Sequence, residues 1–293
     1  MTVTVAGSLN ADLIVPVDRL PGRGETVVGR SATTGAGGKG ANQAAAAAGL
    51  AAGVAMVGRV GDDEAGRRQV AELAGRGVDV SGVRPTPGVP TGAATVAVEQ
   101  GTGENLIVVA PGANGQVTPA DVEVAAVREA GVVLLQLEIP LPAVAAAARA
   151  AHGLVVLNPA PPQPLPTGLL DRVDVLVPNE WELAALAGAD APPEDTDALA
   201  ALARRVTPGP VVVTLGARGA LVVEPGAVPE LVPAPTVAVV DTTGAGDCFC
   251  GALCVALDAG AALPDAVRSA VAAAAESTTW PGARRPTEPG RRP

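Results

Sequence analysis

The feature that most constrains the fold is a series of short apolar runs that end in polar, glycine or proline residues. They read VVLLQLE from residue 132, LVVLNPAPP from 154, VDVLVPNE from 173 and VVVTLG from 211. Continuous apolar runs of this length are typical of strands buried on both faces of a parallel sheet. Helix-forming stretches, such as residues 141–150 and 196–206, separate them. This alternation predicts a doubly wound α/β sheet, whose ligands bind beyond the carboxyl ends of the strands.

Two regions depart from the alternation, because they contain extended stretches with no intervening helix. They are residues 12–36 and 91–110, and the second reads as a hairpin that turns at residues 100–103. We expect both to form a small separate sheet, which would act as a lid on a single domain of residues 1–286. The arginine-rich end, residues 287–293, is expected to be a loose tail.

Composition limits the classes of function. The chain has 293 residues, 48% of them hydrophobic, and a formal net charge of -10. Nucleic acids and anionic membranes are usually bound by basic surfaces, so the acidic balance predicts a small-molecule partner, with no nucleic acid and no membrane. The first residues do not resemble a signal peptide, and the apolar runs are too short to span a membrane. We therefore expect a soluble, cytoplasmic protein.

The cysteine and histidine residues do not predict a metal site. Cys248, Cys250 and Cys254 lie in one short stretch, with no histidine or fourth cysteine beside them. This spacing favours packing on one helix over a disulfide framework or a zinc site. The single histidine, His152, lies between a predicted helix and strand and is interpreted as a surface residue.

The segment GAGGKGANQ, residues 35–43, contains the only lysine of the chain, Lys39. Its glycines satisfy the spacing of a dinucleotide-binding loop, but no buried strand precedes them. A Walker A loop is excluded, because Thr33 replaces its first glycine and Gly40 follows the lysine. A glycine-rich turn at the start of a helix suits an anion or a polyhydroxyl ligand. An ordinary turn with an exposed lysine is the alternative.

A second glycine-rich segment, DTTGAGDCFCGAL, begins at residue 241. Gly244 and Gly246 precede Asp247 and an apolar helix, so backbone N–H groups are expected to face a ligand at the positive end of that helix. There the amides would stabilise charge on a transferring phosphoryl group, and Asp247 would accept a proton from a hydroxyl. Alternatively, Asp247 is only the N-cap residue of the helix.

Taken together, several segments resemble one family. In order they are GSLNAD from residue 7, GGKGAN from 37, NPAPP from 158, NEWE from 179, TLGARG from 214 and DTTGAGD from 241. This series, which extends from residue 4 to about residue 286, resembles the ribokinase branch of the PfkB carbohydrate kinases, as does GENLIVVAPGAN from residue 103. The resemblance implies a three-layer α/β/α domain with a β-sheet lid that forms a dimer contact. It also implies phosphorylation of the primary 5-hydroxyl of D-ribose by ATP.

The resemblance further implies roles for individual residues. The sugar would be bound by Asn10 and Asp12, in a short loop after the first strand, by Glu138 at the end of an apolar strand, and by Gly38, Lys39, Asn42 and the base, Asp247. The anion hole would consist of Gly244, Ala245 and Gly246, and the nucleotide would contact Asn179, Thr214, Gly216, Gly219 and Gly246. Mg²⁺ would be bound through water by Glu182, and a monovalent cation, K⁺, by Asp241, Thr243, Ser277, Trp280 and Gly282. Asn179 and Glu182 also fit a helix-start pair with no role in binding.

Two departures from the family pattern affect the nucleotide and cation ends. Val271 stands where relatives carry an asparagine near the adenine, and Arg284 stands where glutamine is common. Other acceptors, namely deoxyribose, fructose or adenosine, remain open, as does a sugar-binding protein without activity. Retention of Asp247 between its glycines disfavours the last alternative, because binding alone needs no base.

Overall fold

The computed structural model describes residues 2–51, 53–101 and 104–286. The strands are β1 (Val3–Ala6), β2 (Asn10–Val17), β3 (Thr33–Gly37), β4 (Val54–Gly61), β5 (Asp79–Thr86), β6 (Gly92–Glu99), β7 (Asn105–Ala110), β8 (Val132–Leu135), β9 (Leu154–Leu157), β10 (Val175–Leu176), β11 (Val211–Thr214), β12 (Ala220–Val223) and β13 (Glu230–Val232). The helices are α1 (Lys39–Ala48), α2 (Glu64–Gly75), α3 (Pro119–Val122), α4 (Ala125–Arg128), α5 (Leu141–Ala150), α6 (Glu180–Leu186), α7 (Thr196–Val206), α8 (Ala245–Asp258) and α9 (Leu263–Ser277).

The main sheet has nine strands in the described part of the chain, in the order β13-β12-β11-β10-β9-β8-β1-β4-β5. Neighbours from β11 to β5 are parallel, whereas β12 and β13 are antiparallel additions at one edge. The four apolar runs form β8, β9, β10 and β11. The predicted doubly wound, mostly parallel sheet is therefore confirmed.

Helices cover both faces of this sheet, because successive side chains of a strand point in opposite directions. In β8, Val132 and Leu134 belong to one apolar core, and Val133 and Leu135 belong to the other. The first core includes side chains from α1, α8 and α9, and the second includes side chains from α5, α6 and α7. This is the predicted three-layer arrangement. All three cysteines lie on α8, where Cys250 and Cys254 are buried.

The two regions without helices form a second, four-stranded sheet in the order β3-β2-β6-β7. Strands β6 and β7 pair antiparallel, as the predicted hairpin requires, and β2 lies between β3 and β6. The division into a domain and a lid remains a prediction. The predicted tail, residues 287–293, lies outside the described residues.

One expectation about this sheet is wrong. Asn10 and Asp12 were expected in a short loop after β1, but both belong to β2. Strand pairing on both sides extends this segment, since Asn10 is opposite Gly37 of β3 and Gly92 of β6. Because Asn10 and Asp12 are two residues apart in a strand, their side chains share one face.

The order of the strands in the main sheet indicates where a ligand can bind. β4 and β5 lie on one side of β1, and β8 to β11 lie on the other. The crevice at such a reversal, beyond the carboxyl ends of β1 and β8, is the usual binding site in open α/β sheets. Among the described residues, no helix is both long and apolar enough to cross a membrane.

Candidate active site

The loops after β1 and β8 meet the first turn of α1 in this crevice. The Ser8 hydroxyl and the Lys39 backbone N–H both donate to Oε2 of Glu138, the latter at 3.1 Å. β8 ends at Leu135, so Glu138 lies three residues beyond the strand and not at its end, as the sequence had indicated. Its half-buried carboxylate therefore joins the two central loops of the sheet to the glycine-rich segment.

Asp12 has a buried carboxylate oxygen without a protein partner, since its Oδ1 accepts no hydrogen bond from the described residues. Burial, reinforced by the negative charge of Glu138, raises the pKa of Asp12 to about 6. Gly37 makes room for this side chain, since a Cβ there would lie 1.8 Å from Asp12 Oδ2. A buried acceptor without a donor is costly, so the site is arranged for a ligand that brings a hydroxyl.

Asn10 is held from both sides. Its Oδ1 accepts from Asn114 Nδ2 at 2.7 Å, and its backbone carbonyl accepts from the Gln69 side chain. Asn114 is itself fixed, since its Oδ1 accepts from the Leu9 N–H at 2.9 Å. Because its oxygen accepts from Asn114, the Asn10 amide would contact a ligand through its N–H donors.

Asp247 is the third residue of α8, and Gly244 is its N-cap, so the N-cap interpretation of Asp247 is wrong. Its buried carboxylate instead accepts from another helix: Asn42 Nδ2 donates to Oδ2 and Gln43 Nε2 donates to Oδ1, both at 3.1 Å. Helices α1 and α8 pack closely at Gly251, where a Cβ would lie 2.8 Å from the Gln43 carbonyl oxygen. Close packing therefore brings both amides to the carboxylate.

Electrostatics couple the charged groups of this crevice. Burial raises the pKa of Asp247 against the opposing effects of Lys39, Asn42 and Gln43. Burial alone would lower the pKa of Lys39, but the carboxylates of Asp247 and Glu138 outweigh it and raise that pKa. Lys39 is thus a half-buried cation, and the alternative of an ordinary turn with an exposed lysine does not describe it.

The predicted anion site lies at the start of α8. Gly244 has a left-handed φ of 75°, and a Cβ there would lie 2.7 Å from Ala283, so only glycine fits without strain. The Ala245 N–H donates to the Thr242 carbonyl at 3.2 Å. Gly246 is exposed with open space beside it, which leaves room for a phosphate at the helix N-terminus.

A cavity of about 480 Å³ lies beside the start of α8, and Gly246 is one of its lining residues. Four predicted nucleotide contacts line it: Thr214, Gly216, Gly219 and Gly246. Its other walls are mostly apolar and include Phe249 and Val271. Asn179, the fifth predicted contact, is the N-cap of α6 and does not line the cavity, although a β-bridge pairs it with Thr214, which does.

Asn179 and Glu182 form a reciprocal capping pair at the start of α6. Asn179 Oδ1 accepts from the Glu182 N–H at 2.7 Å, and Glu182 Oε2 accepts from the Asn179 N–H at 2.8 Å. The helix-start interpretation of this pair is therefore confirmed. Burial raises the pKa of Glu182, and its charge interacts with both Lys39 and Asp247, so this carboxylate also faces the crevice.

Two loops meet at Asp241. Its Oδ1 accepts from the Thr243 N–H and its Oδ2 from the Gly282 N–H, both at 2.8 Å. Burial opposes ionisation, but these hydrogen bonds outweigh it and lower the pKa of Asp241. The buried Ser277 ends α9, just before this loop. The carboxylate of Asp241 is the charged group here that would attract a cation, and the K⁺ site stays a prediction.

The side chains available to bind Mg²⁺ are few. The described residues contain no group of three or more His, Cys, Asp or Glu side chains placed to bind a metal. Mg²⁺ commonly keeps several waters and is bound by one or two carboxylates plus substrate phosphates. The single carboxylate of Glu182 fits such an outer role.

Several side chains of the site carry no local sequence signal. Ser8, Gln43, Gln69, Asn114 and Arg284 contact the predicted residues but were not predicted as functional. Gln43 was detectable in principle, because it directly follows Asn42 in the glycine-rich segment. Arg284 appeared only as a departure from a family pattern.

Comparison with known proteins places this geometry in a family. Residues 2–289 match the pfkB family carbohydrate kinases. The chain belongs to this family. It is 40% identical to a ribokinase of Arabidopsis thaliana over 285 residues, which cover 93% of this chain and 74% of that protein. It is 35% identical to a deoxyribokinase of Salmonella typhimurium, covering 96% of this chain and 94% of that protein.

A solved structure agrees with the family assignment. Arabidopsis thaliana ribokinase complexed with ribose and ATP superposes with a TM-score of 0.85, at 38% identity, covering 96% of this chain and 94% of that one. The fold and the enzyme class, a carbohydrate kinase, are thus established for this chain. The glycines of residues 35–40 follow β3 of the second sheet, not the first strand of the main sheet, so the dinucleotide-loop interpretation is wrong.

Proposed function

We propose that this protein transfers the γ-phosphoryl group of ATP to the 5-hydroxyl of D-ribose, giving ribose 5-phosphate and ADP. The observation that carries the proposal is the position of Asp247. This buried carboxylate lies at a helix N-terminus, between a crevice rich in hydrogen-bonding groups and an apolar cavity. The ribokinase relatives and the structure that contains ribose and ATP support ribose as the acceptor.

The sugar would bind in the crevice through groups that match its hydroxyls. Asp12 would accept hydrogen bonds through its unpartnered Oδ1, and Asn10 would donate from its amide. Lys39 and Asn42 would donate to sugar oxygens, and Gly38 would allow the backbone to approach. Glu138, already oriented by Ser8, would complete the sugar side.

Asp247 would act as the base. A sugar hydroxyl is too weak an acid to be ionised beforehand by a carboxylate, so its proton moves to Asp247 as the oxygen–phosphorus bond forms. The raised pKa of Asp247 favours this transfer, since a more basic carboxylate accepts the proton more readily. The N–H groups of Gly244 and Gly246 would stabilise charge on the transferring group, whereas the Ala245 N–H already donates to Thr242.

ATP would occupy the cavity beside Gly246, with its base against Val271 and Phe249. Mg²⁺, bound by the phosphates and through water by Glu182, would neutralise phosphate charge. K⁺ would be bound by Asp241 and by carbonyls of residues 243, 277, 280 and 282. The convergence of the Thr243 and Gly282 N–H groups on Asp241 supports a fixed loop there.

A homodimer through the second sheet is part of the proposal. β7 is an edge strand, and its Leu106, Ile107, Val108 and Val109 are all exposed. Exposed apolar edges of this kind promote pairing with another chain. Ile107→Lys is expected to shift the mass measured by light scattering from dimer to monomer, and a monomeric native protein would contradict the dimer.

The test of function is an ADP-release assay with MgATP and K⁺, in which D-ribose, 2-deoxyribose, fructose, adenosine and no acceptor are compared. We expect the highest kcat/KM with ribose. A preference for deoxyribose, the substrate in the name of one relative, would keep the kinase and replace its acceptor. Ligand binding without turnover on any acceptor would support a sugar-binding protein and contradict the proposal.

A further inference from the structure

Arg284 is a buried arginine in the last described segment, with only 5% of its side chain exposed. Its Nε donates to Asn42 Oδ1 at 2.9 Å, and its NH2 group donates to the Gly37 carbonyl at 3.1 Å. Glu72 of α2 pairs with it, and Glu72 also pairs with Arg76 at 2.8 Å. The guanidinium therefore joins the C-terminal segment to the glycine-rich loop of the sugar crevice.

Asn42 connects Arg284 to Asp247, the proposed base. The Asn42 amide accepts from Arg284 through its oxygen and donates to Asp247 Oδ2 through its nitrogen. A guanidinium can only donate and a carboxylate can only accept, so these partners fix the orientation of the amide. A flipped Asn42 would face a donor with its N–H groups and the carboxylate with its oxygen, and both hydrogen bonds would be lost.

The Arg284 side chain also affects residues on the proposed sugar side. Gly37, whose carbonyl it binds, ends β3 and pairs with Asn10 of β2. The charge of Arg284 also opposes the rise in the pKa of Asp12. One residue earlier, Ala283 packs against Gly244 at the start of α8. The segment 282–284 thus contacts the phosphate end and the sugar end together.

We infer that Arg284 is a positioning residue, which holds Asn42 in the orientation that fixes the catalytic carboxylate of Asp247. The inference rests on the proposed ribose kinase activity. Arg284 does not itself touch the reacting atoms.

The test is a double-mutant cycle of Arg284→Gln and Asn42→Ala, assayed by ribose-dependent ADP release. Arg284→Gln is expected to lower kcat by about ten- to a hundredfold, because the base loses its fixed position, with the KM for ATP unchanged. In the Asn42→Ala background, the same substitution should change kcat by less than about threefold, since the effect passes through Asn42. The fold should survive, because Glu72 keeps Arg76 as its partner.

A pH profile adds a readout that a purely structural role would not move. The charged groups that face Asp12 are Glu138, Asp247 and Arg284, of which Arg284 alone lowers its pKa. Arg284→Gln should therefore move the acid limb of ribose affinity to higher pH. Arg268→Gln is the control, since Arg268 forms surface ion pairs with Glu230 of β13 and Asp265 of α9. This substitution should leave kcat and the pH profile unchanged.

A lowered melting temperature with native kcat would overturn the inference, as would fully additive losses in the cycle. If Arg284→Gln does not fold, Arg284→Lys takes its place, because lysine keeps the charge but cannot bridge Asn42 and Gly37. The same non-additivity is then required. Failure of the native protein to phosphorylate ribose would refute the proposed function, an outcome distinct from a native enzyme that is insensitive to Arg284.

Discussion

The crevice and the cavity on the two sides of Asp247, proposed to bind the sugar and the nucleotide, differ in how they are built. On the sugar side, Asn10, Asp12, Asn42 and Glu138 are half-buried or buried polar groups, each fixed by a hydrogen bond or by a close glycine. On the nucleotide side, the cavity wall is mostly glycine, alanine, valine and proline, with hydroxyls from threonines. A polar site rejects ligands that leave its groups unpaired, whereas an apolar wall discriminates weakly. The acceptor should therefore be selected far more strictly than the base of the donor.

The largest effect is expected at the boundary between the two sides. Asp247→Asn should lower kcat by about 10²- to 10⁴-fold, because the base is lost. Ribose affinity, measured by calorimetry, should change by less than about tenfold, since asparagine keeps one acceptor. Asp258→Asn, at the other end of α8, should leave both quantities unchanged. Near-native kcat in Asp247→Asn would contradict the role of Asp247 as the base.

A smaller loss, confined to the sugar side, is expected for Asp12→Asn. Replacing a charged acceptor by a neutral one should weaken ribose binding by about ten- to a hundredfold. The KM for ATP should not change, because Asp12 is not in the nucleotide cavity. Asp18→Asn serves as the control, since Asp18 is exposed and pairs with Arg30 at the surface. Equal losses for ribose and ATP would contradict the division into two sides.

The pKa of Asp12 predicts a pH dependence on the same side. Because this pKa is about 6, Asp12 would accept hydroxyl hydrogen bonds above that pH and become protonated below it. Ribose affinity, titrated by calorimetry without nucleotide, should fall by up to about tenfold per pH unit below 6. Asp12→Asn should flatten this limb, and an unchanged limb in that variant would assign it to another group.

The smallest effect is expected on the nucleotide side. Val271→Asn places a hydrogen-bonding group in the apolar wall and should change the ratio of kcat/KM for ATP and GTP by about two- to tenfold. Val228→Asn, an exposed position outside that wall, should not change the ratio. A change larger than a hundredfold for Val271→Asn would show that this wall discriminates strongly between nucleotide bases.

The two sides also differ in how far the sequence predicts them. Continuous apolar runs predicted β8 to β11, because burial on both faces leaves a local pattern. The pairing that places Asn10 and Asp12 in a strand joins residues 10 and 92, so no local pattern contains it. Asp247 was predicted as a base from its flanking glycines, but its partners Asn42 and Gln43 lie 205 and 204 residues away. Arg284 lies 242 residues from its partner Asn42, so no local sequence pattern predicts that hydrogen bond either.

The most direct test of the account is one matrix of kcat/KM values for the native protein, with ribose, 2-deoxyribose and fructose as acceptors and ATP, GTP and UTP as donors. The account predicts that exchanging the acceptor changes kcat/KM by more than about a hundredfold, and that exchanging the base of the donor changes it by less than about tenfold. A strict donor preference combined with indifference to the sugar would contradict it.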